Sequence, residues 1–136
     1  MTHQHQRRAI QAEGAAAPIG PYSQAIGFGP FVFASGSAGI DPASGDIVDG
    51  GIEAETRQTL ENLGKILESG GSGLEHVVKT TVFMVDLAEF PRMNEVYGSF
   101  FGPMPPARST VQVAALPKGA RVEIDAIACL PDRGDG

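Results

Sequence analysis

Only two stretches of this chain carry the 3.6-residue apolar period of a helix, and both are set among runs that read as strands. From Ile52 to Ser69 the apolar residues Leu60, Leu63, Ile66 and Leu67 share one helical face, while Glu53, Glu55, Arg57, Glu61 and Lys65 occupy the rest. Gly70-Gly71 ends that helix, because glycine takes the left-handed cap position without steric cost. From Phe90 to Phe101, Pro91 stands near the start, and Met93, Val96, Tyr97 and Phe100 follow at spacings of three and four. Two helices can hide one side of a sheet of about five or six strands, and no more.

The strands come from the rest of the chain. Tyr22 to Phe28 and Phe31 to Ser37 are joined at Gly29-Pro30, a turn pair that closes a hairpin. Turns follow at Asp41-Pro42, Ser44-Gly45 and Asp49-Gly50-Gly51. Val77 to Asp86 is rich in Val, Thr and Phe and reads as a central strand. Arg108 to Leu116 and Arg121 to Leu130 flank Pro117-Lys118-Gly119 and read as a second hairpin. The order ββαβαββ predicts an α+β fold: a mixed β-sheet with two helices packed on one face. Its strands are too apolar to leave the other face wet, so self-association through that face is expected. Residues 1–17 lack any burying period and read as a flexible N-terminal tail, residues 132–136 as a C-terminal tail, and residues 18–131 as a single domain.

Charge and composition narrow the function. Ten Lys plus Arg against sixteen Asp plus Glu leave a net charge of −6, which repels phosphate backbones, so nucleic acid is excluded as a default partner. The uncharged stretch Ala25 to Ile40 is broken by glycines, a proline and serines and is no membrane helix. Residues 1–8 are polar and basic with no apolar segment behind them, unlike a signal peptide. Cys129 is the sole cysteine, so no intrachain disulfide and no paired-cysteine metal site can form, and a cytoplasmic location is expected. No nucleotide-binding glycine loop, HExxH or GxSxG string occurs, and no cofactor is implied. His3 and His5 lack a third ligand nearby, His76 stands alone before a strand, and Arg133-Gly134-Asp135 is too short a match to carry meaning.

Two charged positions are harder to dismiss. Alternation in Arg121-Val122-Glu123-Ile124-Asp125-Ala126 puts Arg121, Glu123 and Asp125 on one face, which a solvated surface would also explain. Arg108 follows the stiff Pro105-Pro106-Ala107, and a preorganised guanidinium is a good fork for a carboxylate, although a surface arginine would look the same. With the second hairpin paired near Ala115 and Arg121, Glu123 lies beside Val113, roughly 17 Å from Arg108 at strand rise. Cooperation between them then needs two neighbouring copies, which points to a site at a subunit interface.

Ile19-Gly-Pro-Tyr-Ser-Gln-Ala25, Ala34-Ser-Gly36, Asp41-Pro-Ala-Ser-Gly45, Val78-Lys-Thr-Thr-Val82, Asn94-Glu-Val-Tyr97, Pro106-Ala-Arg-Ser109 and the run from Val113 to Ile124 run in order along the chain. Together they resemble the RidA (YjgF) family. The resemblance implies a chorismate mutase-like fold, with three copies forming a homotrimer around a central β-barrel and sites in clefts between subunits. It implies hydrolysis of reactive 2-imino acids, such as 2-iminobutanoate and 2-iminopropanoate, to 2-keto acids and ammonia. Carried over by position, Arg108 becomes the anchor for the substrate carboxylate and Glu123 the group that orients the attacking water, while Tyr22, Ser35, Gly36, Asn94 and Thr110 match pocket positions. Ser37 stands where the family commonly has Gln, and Thr110 where many members have Cys, so the pocket wall differs and substrate preference with it. The family also contains non-catalytic, small-ligand-binding or chaperone-like oligomers, which keeps that alternative open. Ribonuclease activity, reported for some relatives, conflicts with the net charge and with the lack of a histidine pair for acid and base work.

Overall fold

Six strands build one mixed sheet in the order β1-β2-β3-β6-β4-β5. They are β1 (Arg8–Ile10), β2 (Ala25–Phe28), β3 (Phe31–Ala38), β4 (Val77–Met84), β5 (Ala107–Gln112) and β6 (Val122–Cys129), with helices α1 (Gly51–Ser69) and α2 (Phe90–Phe101) between them. The structure is a computed structural model and describes residues 6–132; His3, His5 and Arg133-Gly134-Asp135 lie outside the described residues. No helix is long and apolar enough to cross a membrane.

Both helices pack on the same layer of side chains. Leu60, Leu63, Ile66 and Leu67 of α1 and Met93 and Tyr97 of α2 meet Val32, Val82, Met84, Val122, Ile124, Ala126 and Ala128 of the strands in one buried cluster. Burying a large aliphatic side chain contributes roughly 1.5–3 kcal/mol, so this layer is the dominant stabilising element. After Ser69 the chain leaves α1 through Gly70 and turns at Gly71, which takes φ 88° and donates its N–H to the Glu68 carbonyl. The hairpin at Gly29-Pro30 forms as expected, with Phe28 opposite Phe31, but its first strand starts at Ala25 and leaves Tyr22 in the preceding turn.

The second hairpin does not form. β4 lies between β5 and β6, paired parallel to β5 and antiparallel to β6. A parallel pair needs a crossover, and α2 supplies it between β4 and β5. Residues 113–121 therefore span the end of β4, where Val113 donates to the Met84 carbonyl and Val85 donates to the Arg121 carbonyl. Glu123 is accordingly beside Phe83 and Ala38, not beside Val113.

The N-terminal stretch also differs from expectation. Within residues 1–17, Arg8–Ile10 pairs with β2, and Ile10, Ala12 and Ala15 are buried. Buried Gln24 holds this segment, accepting from the Ala12 N–H and donating to the Ala16 carbonyl.

Strand alternation leaves the sheet's other face without helices. Ile26 and Phe28 of β2, Phe31 and Phe33 of β3, Glu123 and Asp125 of β6 and Val111 of β5 project there. Phe28, Phe31, Phe33 and Val111 are each 40–42% exposed, an apolar surface of the kind that marks an interaction face.

Candidate functional site

Two separate groups gather the sequence-derived site residues. The first sits where β3 and β6 run side by side. A register shift between Ala34 and Ser37 bulges β3, and bulges commonly re-aim side chains next to sites. Here the shift sets Ser35 and Gly36 over β6 near Glu123. A Cβ at Gly36 would run into the end of the Glu123 side chain, whose Cδ would be 2.7 Å away, so any side chain there displaces the carboxylate. The Ser35 hydroxyl donates to the Ser23 carbonyl at 2.7 Å, and the Ser35 N–H donates to the Gln24 carbonyl. Those bonds tie the bulge to the segment that carries Tyr22. The Tyr22 hydroxyl accepts from the Ile19 N–H at 3.2 Å, and the ring is 47% exposed.

Tyr22, Ser35, Gly36 and Glu123, with Ile19, Ala38, Ile40 and Pro117, line a depression of about 320 Å³. A concavity of this size falls in the range of small-molecule sites. Burial pushes the Glu123 carboxyl above its ordinary value, and the nearby Asp125 charge adds to the rise. A carboxylate that holds its proton more tightly is a stronger base, suited to taking a proton from water.

The second group lies across the sheet, on β5 and α2. Thr80 of β4 is in register with Arg108, and Val82 with Thr110. Thr80 and Val82 face the helices, so Arg108 and Thr110 do as well. The Arg108 guanidinium lies over two rings of α2, 4.7 Å from the centroid of Tyr97 and 5.4 Å from that of Phe90. Asn94, between those rings on the same helix, has a buried Oδ1 without a hydrogen-bond partner. Arg108, Thr110 and Asn94 thus share one corner.

The two corners do not meet in one chain. Arg108 and Glu123 are separated by β4, two strand spacings apart, and offset by the distance from Thr80 to Phe83, which amounts to about 14 Å between backbones. Their side chains also leave opposite faces of the sheet. Arg121, expected on the Glu123 face, precedes β6 and turns to the helices, where its guanidinium meets Glu55 at 3.5 Å and Glu89 at 3.2 Å. His76 sits in the single turn before β4 and contacts Glu75. Sequence reading missed the part played by Phe90 and Tyr97 around Arg108. Their spacing was visible, but it reads equally as a core stripe.

The geometry has close parallels. The family model described as Endoribonuclease L-PSP matches residues 12–130. A RutC family protein of Pyrococcus horikoshii is 50% identical over 90% of this chain and 97% of its own length. The mouse protein named 2-iminobutanoate/2-iminopropanoate deaminase is 48% identical over 90% of each chain. Among solved structures, E. coli TdcF with bound serine superposes with a TM-score of 0.86 at 38% identity, covering 91% of this chain and 99% of that one. A match across nearly the whole sheet and both helices leaves one conclusion: the chain belongs to the Endoribonuclease L-PSP family, the RidA (YjgF) family.

Proposed function

We propose that this protein hydrolyses reactive 2-imino acids, 2-iminobutanoate and 2-iminopropanoate among them, to 2-keto acids and ammonia, in clefts that two copies build together. The observation that carries the reading is the split itself. A guanidinium suited to a carboxylate stands at one corner of the sheet and a half-buried glutamate, made more basic by its burial, at another, on opposite faces. Each corner holds half of what imine hydrolysis needs, and the apolar face between them is of the kind that another copy covers. Relatives about 48% identical bear the name of this activity.

The chemistry asks little of the protein. An imine carbon is already electrophilic, so the task is to hold the substrate, place a water and accept a proton. Arg108 binds the substrate carboxylate as a charge-assisted fork. Glu123 accepts a hydrogen bond from the attacking water and takes its proton as oxygen bonds to the imine carbon. Glu123 returns that proton to the nitrogen, giving a neutral carbinolamine; the hydroxyl proton then passes to the nitrogen by way of the same carboxylate as the C–N bond breaks, so ammonia leaves and the C=O of the keto acid forms. Tyr22 forms a wall, and the Ser35-Gly36 bulge keeps room beside the carboxylate.

The test is a coupled assay that generates 2-iminobutanoate in situ and follows keto-acid release. Catalytic amounts of the protein accelerate release. Arg108→Ala lowers kcat/KM by about one to two decades, as expected for a lost charge-assisted bond of roughly 1.5–3 kcal/mol, with circular dichroism and solution mass unchanged. A folded Arg108→Ala at full rate contradicts the assignment. The family description also names ribonucleases; at a net charge of −6, RNA cleavage is not expected to survive purification.

A further inference from the structure

On α2, Phe90, Asn94, Tyr97 and Phe101 stand at i, i+4, i+7 and i+11, one stripe of the helix. Tyr97 is fixed within it at both ends. Its ring packs on Phe101 with centroids 4.6 Å apart, and its hydroxyl is 2.7 Å from the Thr80 Oγ1. Thr80 is the β4 residue directly in register with Arg108. The same strand pair therefore carries both the guanidinium and the clamp on the ring beneath it. Tyr97 is only 5% exposed, so this platform has little freedom to move.

A guanidinium held over an aromatic ring by cation–π attraction still has N–H groups left to donate, since it carries five of them. The long arginine side chain otherwise samples many rotamers, and that freedom has to be given up before the fork can meet a carboxylate. We infer that Tyr97 is a positioning residue for Arg108, holding the guanidinium in one plane ahead of substrate so that the fork is already aimed at the carboxylate of the 2-imino acid. The inference rests on the reading of Arg108 as the carboxylate anchor. Tyr97 has two duties: the ring carries the guanidinium, and the hydroxyl, bonded to Thr80 and also interacting with Arg108, fixes the ring in place.

Substitutions separate those duties. Tyr97→Phe keeps the ring and removes the hydroxyl; it is expected to melt at lower temperature and to lose less in kcat/KM than deletion of the ring does. Tyr97→Leu removes the ring and is expected to lose about tenfold in kcat/KM and in affinity for 2-ketobutanoate, the product used as carboxylate probe. In the Arg108→Ala background Tyr97→Leu brings no further loss, because nothing remains to be positioned. An equal tenfold loss in that background overturns the inference. A wild-type rate in Arg108→Ala overturns the anchor reading instead, whereas an impaired Arg108→Ala beside a fully active Tyr97→Leu overturns the positioning role alone. The Arg108 Nε–H resonance, assigned by its disappearance in Arg108→Ala, supplies a readout that needs no ring-deleted variant. It is expected upfield of ordinary arginine in the wild type and in Tyr97→Phe; an ordinary shift in both contradicts a stacked guanidinium.

Discussion

Gly36 and Glu123 compete for one volume, and that competition makes the depression what it is. A methyl at residue 36 would meet the end of the Glu123 side chain and not the backbone. The carboxylate can swing aside, so Gly36→Ala is expected to fold with nearly unchanged stability while losing activity to the extent that Glu123→Gln does; melting and imine hydrolysis measured side by side check this. The carboxylate itself predicts a pH dependence. Burial and Asp125 raise its pKa above the ordinary 4.5, and only the deprotonated form accepts a proton from water. kcat/KM should thus rise with pH through a limb lying above that value, and Glu123→Gln should lack the limb. Linkage gives the matching stability effect. A carboxyl whose folded pKa is raised binds its proton more tightly when folded, so its ionisation disfavours folding. That penalty is full above the folded pKa, shrinks as pH falls toward 4.5, and is absent below it. Glu123→Gln is expected to melt higher than wild type near neutral pH, with the gain vanishing in acid.

At the scale of elements, the long periodic segments were legible and the connections were not. Leu60, Leu63, Ile66 and Leu67 declared the buried face of α1, and all four are at most 4% exposed. β1 gave no such signal, since Arg8–Ile10 is too short for alternation to register. It nevertheless closes the edge of the sheet and seats Ile10 in the core. Ile10→Ala is expected to destabilise by about 2 kcal/mol or more, measurable by urea denaturation; a change within 0.5 kcal/mol, the size usual for surface sites, would mean that β1 is not docked in solution. Pro117-Lys118-Gly119 misled for a different reason. Turn chemistry fixes the local path, with Lys118 at φ 61° and Gly119 at φ 71°, but not the strand to which the chain returns. The parallel β4–β5 pair, set by the α2 crossover, displaced β6 to the far side of β4. The separation of Arg108 from Glu123 survived that error, because an intervening strand keeps them apart as a hairpin's length would have done.

For the molecule as a whole, the two corners and the face between them have one economical arrangement. Phe28, Phe31 and Phe33 are exposed on a sheet whose opposite side packs against α1 and α2, and burial against further copies removes that apolar surface from water. The resemblance to the RidA family specifies three copies around a barrel, and a homotrimer is the assembly we propose. Closed cyclic assembly gives every copy two different neighbours, so the Arg108 corner of one can face the Glu123 corner of the next. Pocket composition within one chain could not reveal this, since neither corner is complete by itself. Subunit mixing tests it most directly. Arg108→Ala and Glu123→Gln, each nearly inactive alone, are dissociated together, reassembled at equal amounts and assayed for imine hydrolysis. A site built from two neighbours recovers activity in about one quarter of positions, the chance that an intact arginine meets an intact glutamate in a randomly filled ring. Sites confined to single chains would recover none, and a mixture no more active than its components contradicts the shared cleft.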